Sequence, residues 1–428
     1  MLRARRTAVA GLAVIAVLGL AMAQGGRSTA HQAGKPALVR RSARGIPRKL
    51  LTPAQIRAAY DLQSLYRQGI DGAGQTIVIV DPFGSPTIKR DLRHFDDAFG
   101  LPPPPSLRTI QPAGEVPGFD GTTDRLGAAA ETSLDVEWAH VIAPAASILL
   151  VETPAAEIEG ATGFPQIVQA EDYVIRRHLG EVISMSLGAT EQTFRSPAAL
   201  RSLRAAFRLA VQPRYRITVV AASGDAAATG PTYGGESYYT RRVVGWPASD
   251  PLVTAVGGTQ LDLTARGTRL APDVAWHDSG GGLSSVFGKP AYQDHVIGAA
   301  HRGIPDISMD ASCRSATAVY ISFIGPRWTP GCGTSLSAPM FAGIVALADQ
   351  LAGHPLGQIN PALYRMGAAH ERGIVDVFSG SNTGTFTQAG KRHTVIGYDA
   401  RRGYDLVSGL GTVDARYFVP ELVSAMGE

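Results

Sequence analysis

Ser335, Glu131, Asp135 and Asp225 have residue types and settings suited to nucleophilic chemistry. Ser335 lies in Gly331–Gln350, GCGTSLSAPMFAGIVALADQ, between small residues and an apolar run. Met340, Ile344, Val345 and Leu347 recur at helical spacing. Pro339 suits a first turn, where backbone N–H groups have no intrahelical partner. The serine is therefore expected at a helix N-terminus, where the dipole and free N–H groups favour developing negative charge. Gly331 and Gly333 let a substrate backbone approach closely. This setting suits a nucleophile; a capping serine is the alternative.

A nucleophilic hydroxyl needs a base, and the segment AAAETSLDVEWAHVIAP (Ala128–Pro144) offers one. Glu131 and Asp135, four apart, share a helix face, with Asp135 about 40° from Glu131 and Trp138 and Ile142 each about 20° away. Carboxylates patterned with large apolar side chains are expected to be partly buried. Burial and mutual repulsion then raise their first ionisation, so that one proton is shared in mild acid. Such a pair can serve as a general base and its orienting partner; an exposed, merely solubilising pair is the alternative. His140 falls about 180° from Glu131, which argues against a zinc site built from Glu131, Asp135 and His140. No His-Glu-x-x-His string occurs. Asp225 ends the apolar run ITVVAASGD, at a strand's carboxyl edge, where α/β sites form. In a dry site it can hold a proton and donate to an oxyanion; a turn-starting aspartate is the alternative.

The elements that position these groups read as alternating strands and helices. Strands are expected at Gln75–Val80, Ser147–Val151, Glu181–Leu187, Ile217–Ala222, Leu252–Val256 and Val319–Phe323. Helices are expected at Thr87–Phe99, Ala129–Ile142, Pro165–Leu179, Pro197–Val211 and from Ser335 onward. Short apolar strands separated by helices indicate an α/β fold, a parallel sheet covered on both faces. The 428 residues, 45% hydrophobic, suffice for a large core. A net charge of +4, spread along the chain with no dense basic block, gives no sign of nucleic acid. Residues 1–23 read as an export signal: Arg3, Arg5 and Arg6, an apolar stretch, then Ala21-Met22-Ala23 as a cleavage site. Residues 24–50 read as a polar, basic, disordered linker or vestigial pro-arm, and the folded domain is expected at 51–428. No later segment is expected to reach membrane-spanning length.

Taken in order, GAGQTIVIVD, ETSLDVEW, SMSLG, AASGD, GGGLSS, GIPDISMDAS, GTSLSAP, DVFSGSN and GYDLVSGLG resemble the sedolisins, the serine-carboxyl peptidases (peptidase family S53). The likeness runs from about Leu51 to Phe418. It implies a subtilisin-like α/β fold with a mostly parallel sheet, and a Ser-Glu-Asp triad in place of Ser-His-Asp. Ser335 matches the nucleophile, Glu131 the base, Asp135 the acid behind it, and Asp225 the oxyanion-stabilising residue. The resemblance also implies a calcium site of Asp376 and Asp405 side chains with the main-chain carbonyls of Val377, Arg401 and Gly403, an all-oxygen set that suits Ca²⁺. Gly280-Gly281-Gly282 are expected along the substrate cleft, with a flexible loop as the alternative.

The chain departs from the family pattern in places. The family carries a long folded prosegment, whereas some 27 residues (Gln24–Leu50) precede the matching region here. Cys332 stands where glycine is usual, Ala227 replaces a glycine after Ser-Gly-Asp, and Tyr404 replaces a tryptophan. Cys332 pairing with Cys313 suits an exported chain; two free thiols are the alternative. The expectation is a secreted, monomeric, acid-acting serine peptidase, an endopeptidase or a tripeptidyl-peptidase. Its partners are polypeptide substrates, with neither nucleic acid nor, after signal removal, a membrane. Two alternatives stand beside it: a catalytically inactive secreted binding protein on the same scaffold, and a subtilisin-type Ser-His-Asp protease. None of the ten histidines has the helix-start setting that the latter needs.

Overall fold

The computed structural model describes residues 45–157, 160 and 162–427. The expected signal, residues 1–23, and most of the expected arm lie outside these residues. The end of the arm, 45–50, belongs to the fold: Leu50 is buried against Ala316, Ala318 and Cys332, with Ile46 packed beside it.

The core is a sheet of parallel strands β1 (Thr76–Pro82), β2 (Leu107–Ile110), β3 (Ser147–Thr153), β4 (Val182–Met185), β5 (Thr218–Ala222), β6 (Thr254–Gln260) and β7 (Ile307–Asp310). Their order is β7-β6-β5-β4-β1-β3-β2, and Val274–Ala275 adds to β6 as a short antiparallel strand. The alternation of a pleated strand explains the uninterrupted apolar runs. Ile77 and Ile79 of β1 enter one core, and Val78 and Val80 the other, so both faces are covered.

On the first face lie helices α1 (Pro53–Ala59), α2 (Ile88–Phe99), α3 (Thr123–Ile142), α5 (Thr334–Ala352) and α6 (Ala415–Gly427). On the other lies α4 (Phe164–Arg176), with two short helices, Pro197–Ser202 and Ala205–Ala210. The single helix expected over Pro197–Val211 is thus broken near Leu203 and Arg204. Chain order reverses across β1: β2 and β3 lie to one side, β4 to β7 to the other. The crevice beyond the carboxyl ends of β1 and β4 is therefore the switch point where α/β sheets place their sites.

α3 begins at Thr123, earlier than expected, because polar first turns precede its buried half. Val319–Phe323 proves to be part of β8 (Thr317–Ile321), which pairs antiparallel with β9 (Arg327–Gly331) outside the main sheet. β9 leads into α5, which is buried from Thr334 to Asp349. A side chain at Gly343 would meet Ile142 of α3 at 2.6 Å, so this glycine sets the close approach of the two helices. Pro339 lies inside α5 rather than in its first turn. Among the described residues, α5 alone is long and apolar enough to cross a membrane, contrary to expectation, but it is packed in the core.

Candidate active site

Each candidate residue reaches the switch point on its own element. β1 ends in Asp81. Continuing the register Ile79↔Ser184 by two residues puts Ser186, just past β4, beside it. β5 continues through Ser223 and Gly224 to Asp225. α3 carries Glu131 and Asp135 one turn apart, and α5 starts with Ser335 in its first turn, capped by Gly333 at φ 103°. Ser335 is 5% exposed.

The Ser335 hydroxyl lies near enough to Glu131 to favour the carboxylate, yet burial dominates and raises the Glu131 pKa to about 8. The charges of Asp81, Asp225 and Glu157 add to the rise. Asp135, fully buried, is raised well above the ordinary range by desolvation, then by Asp81 and Glu131, against the hydrogen bond from Ser186. Glu131 Oε1 and Asp135 Oδ2 are buried without a partner. The Glu131 charge opposes ionisation of Asp135 and burial opposes ionisation of both, the direction that the sequence pattern suggested.

Asp225 Oδ1 accepts from the Thr334 backbone N–H at 2.7 Å and from the Thr334 hydroxyl at 2.7 Å. The same hydroxyl accepts from the Gly224 N–H at 3.0 Å, which stitches the Asp225 loop to the residue before the nucleophile. Burial pushes Asp225 up to about 6, against these two hydrogen bonds. In mild acid it therefore carries a proton that it can donate. Ala227 adopts φ 57°, a left-handed conformation that glycine takes without penalty, which is the physical content of the glycine it replaces.

Glu137 and His140 face away from this cluster. Glu137 Oε2 accepts from the Tyr320 N–H at 3.0 Å, and His140 Nε2 lies 2.9 Å from the Pro102 carbonyl. Gly280-Gly281-Gly282 are buried and do not form a loose loop. A side chain on Gly280 would strike the Ser223 carbonyl at 2.3 Å, and one on Gly281 the Leu406 carbonyl at 2.1 Å. These glycines brace the Asp225 loop from behind. Cys313 and Cys332 form a disulfide three residues before Ser335, and Gly333 N–H bonds the Ala311 carbonyl alongside it at 2.7 Å.

Sequence reasoning missed two members. Asp81 is a fully buried third carboxylate whose pKa burial also raises. Its signal was the one used for Asp225, an apolar strand ending in an acid. Ser186 sits in the SMSLG string but has no spacing relation to the pair; only the sheet register brings it there.

The expected calcium residues also converge. Gly403 N–H donates to Asp376 Oδ2 at 3.2 Å. Asp405 accepts from the N–H groups of Arg401, Val407 and Ser408, and Ser408 Oγ reaches the Val377 carbonyl at 3.3 Å. Asp376 Oδ1 is buried without a partner, as a ligand oxygen awaiting a hard cation would be. The residues therefore fit such an ion. Among the described residues no group of three or more His, Cys, Asp or Glu side chains is arranged to hold a metal ion, so ligation here would rest on two carboxylates and main-chain carbonyls.

A profile of the subtilase family matches residues 126–365. Kumamolisin of Bacillus sp. (strain MN-32) is 29% identical over 381 residues, covering 84% of this chain and 61% of that protein. Sedolisin of Pseudomonas sp. (strain 101) is 27% identical, covering 85% and 59%. Tripeptidyl-peptidase sed4 of Aspergillus fumigatus is 28% identical, covering 90% and 69%. The chain thus spans about three fifths of the length of kumamolisin and of sedolisin. Among solved structures, Pseudomonas sedolisin, a serine-carboxyl proteinase complexed with two molecules of pseudo-iodotyrostatin, matches with a TM-score of 0.72 at 26% identity. That match covers 88% of this chain and 98% of the other.

Proposed function

The chain belongs to the subtilase family and, with the sedolisins, to the serine-carboxyl peptidases, and from that premise we propose that it is a secreted peptidase hydrolysing polypeptides in acid through Ser335, Glu131 and Asp135. The observation that carries this reading is the place of Ser335 at the start of a core helix, with its hydroxyl near enough to Glu131 to favour that carboxylate and with Asp135 and Asp225 close by.

Ser335 Oγ attacks the peptide carbonyl carbon while Glu131 takes its proton, with Asp135 behind Glu131 as the orienting acid. The carbonyl oxygen becomes an oxyanion, and protonated Asp225 donates to it from Oδ2, since Thr334 occupies Oδ1. The intermediate collapses, the C–N bond breaks, and Glu131 returns its proton to the leaving amine. Water, deprotonated by Glu131, then attacks the acyl-Ser335 ester; the C–Oγ bond breaks, Glu131 returns the proton to Ser335 Oγ, and the acid product leaves. Asp225 must be protonated, so activity declines above about pH 6; Glu131 must be ionised, and because burial raises its pKa to about 8 the ionised base is the less populated form in acid and sets the acid limb.

Asp376 and Asp405, with the carbonyls of Val377, Arg401 and Gly403, would hold a calcium ion that ties their two loops together. Export through residues 1–23 accords with the disulfide, since such bonds persist in oxidising compartments. The test is digestion of a mixed peptide library by the purified protein between roughly pH 3 and 8, with product masses separating internal cleavage from tripeptide release. Ser335→Ala and Glu131→Gln are each expected to lower kcat at least ~10³-fold with little change in melting. Undiminished turnover in either variant removes the assignment.

A further inference from the structure

Ser186 Oγ lies 3.0 Å from Asp135 Oδ1 and 3.3 Å from the Ser335 carbonyl oxygen. That carbonyl is available because of Pro339. Four residues on, proline has no N–H to return to it, so the helix leaves the nucleophile's own carbonyl unclaimed. One hydroxyl thus touches both the acid behind the base and the residue that attacks. We propose that Ser186 is a positioning residue that assigns the two oxygens of Asp135, donating to Oδ1 and so reserving Oδ2 for the proton shared with Glu131.

The pattern of partners carries this. Asp135 has one oxygen engaged, by Ser186, and one buried and unpartnered, Oδ2. Glu131 likewise has the Ser335 hydroxyl near its carboxylate and keeps Oε1 buried and unpartnered. A proton held by the pair belongs on the two oxygens that nothing else satisfies. Without Ser186, Asp135 can turn either oxygen toward Glu131, and the base loses its fixed partner. The charged groups acting on Asp135 are Asp81 from β1 and Glu131 from its own helix; Asp225 and Glu157 act on Glu131. All are acids, so the Ser186 hydroxyl helps the pair bear its first negative charge.

The inference rests on the peptidase reading, and its test has one arm that does not need catalysis. In Ser186→Ala the acid limb of kcat is expected to move up by about one pH unit, because a hydrogen bond favouring the carboxylate is gone. KM should change less than about twofold. Ser186→Thr, which keeps the hydroxyl, should restore the limb. Independently, the melting difference between the wild type and Ser186→Ala should widen as pH rises, since donation to an ionised carboxylate is the stronger bond. A difference that is constant with pH, an unmoved acid limb, or a threonine variant that behaves like alanine overturns the inference. A wild-type protein without peptide hydrolysis at any pH removes the peptidase reading alone, and the melting comparison still decides the role of Ser186.

Discussion

Two sets of buried acids in this molecule meet the same cost in opposite ways. At the far end of the sheet, Asp306 is clamped by Arg302, with Nη1 to Oδ1 at 2.7 Å and Nη2 to Oδ2 at 2.5 Å, both side chains fully buried. Tyr364 and the Ala255 N–H supply further bonds at 2.8 Å each. Beyond β1 and β4, by contrast, buried Asp81 and Asp135 and half-buried Glu131 act on one another, and among the described residues no arginine or lysine is bonded to them. A cation beside an acid keeps it ionised and inert. Acids pressed against one another keep a proton, and a group near the point of exchanging a proton is one that can do chemistry. The difference is one of neighbours rather than of depth.

The largest expected effect comes from breaking the clamped side. Arg302→Met strands Asp306 without its counter-charge and should cost about 3–5 kcal/mol, read from denaturant unfolding. Adding Asp306→Leu should recover much of that loss, because no uncompensated charge remains. A single variant as stable as the wild type would end the contrast.

The next effect sharpens the unclamped side. Glu171 on α4 is buried, neither of its oxygens has a partner, and desolvation alone pushes it from 4.5 up to about 8. The folded state therefore holds this proton longer than the unfolded state. Its contribution is fully present below about pH 4.5 and is lost as pH rises through about 8. Glu171→Gln does not titrate, so its melting temperature should fall less steeply over that window and exceed that of the wild type near pH 8. Parallel slopes would refute this.

The smallest effect concerns a third way of compensating an acid. If a calcium ion serves Asp376 and Asp405 as arginine serves Asp306, chelation should lower the melting temperature by a few degrees, and added calcium should restore it. Melting indifferent to chelator removes the calcium assignment.

Much of this was legible in the sequence because periodicity records burial. The arc shared by Glu131, Asp135, Trp138 and Ile142 grouped the two acids on one side of α3, but it did not mark a single inward face, because Glu137 and His140 on the opposite side are fully buried as well. The apolar strand ahead of Asp225 gave its place at the sheet edge. Pairings between distant segments were not legible. β7 is four residues long and adjoins Pro305, so ISMD carries too little pattern to announce a strand in the main sheet. Ser186 depends on the β1–β4 register, which no local spacing encodes. The family likeness supplied the convergence of Ser335 with Glu131, which spacing alone could not.

The bond between Cys313 and Cys332 has a consequence for where this molecule can be finished. Cys313 is exposed and Cys332 is buried, and the link fastens the strand that delivers the nucleophile to the loop after β7. Wherever a cell keeps thiols reduced, that fastening is missing and the stretch leading to Ser335 has one tether fewer. The setting of Ser335 is therefore coupled to the redox chemistry of the surroundings, and a chain kept in a reducing medium differs covalently from one in an oxidising medium.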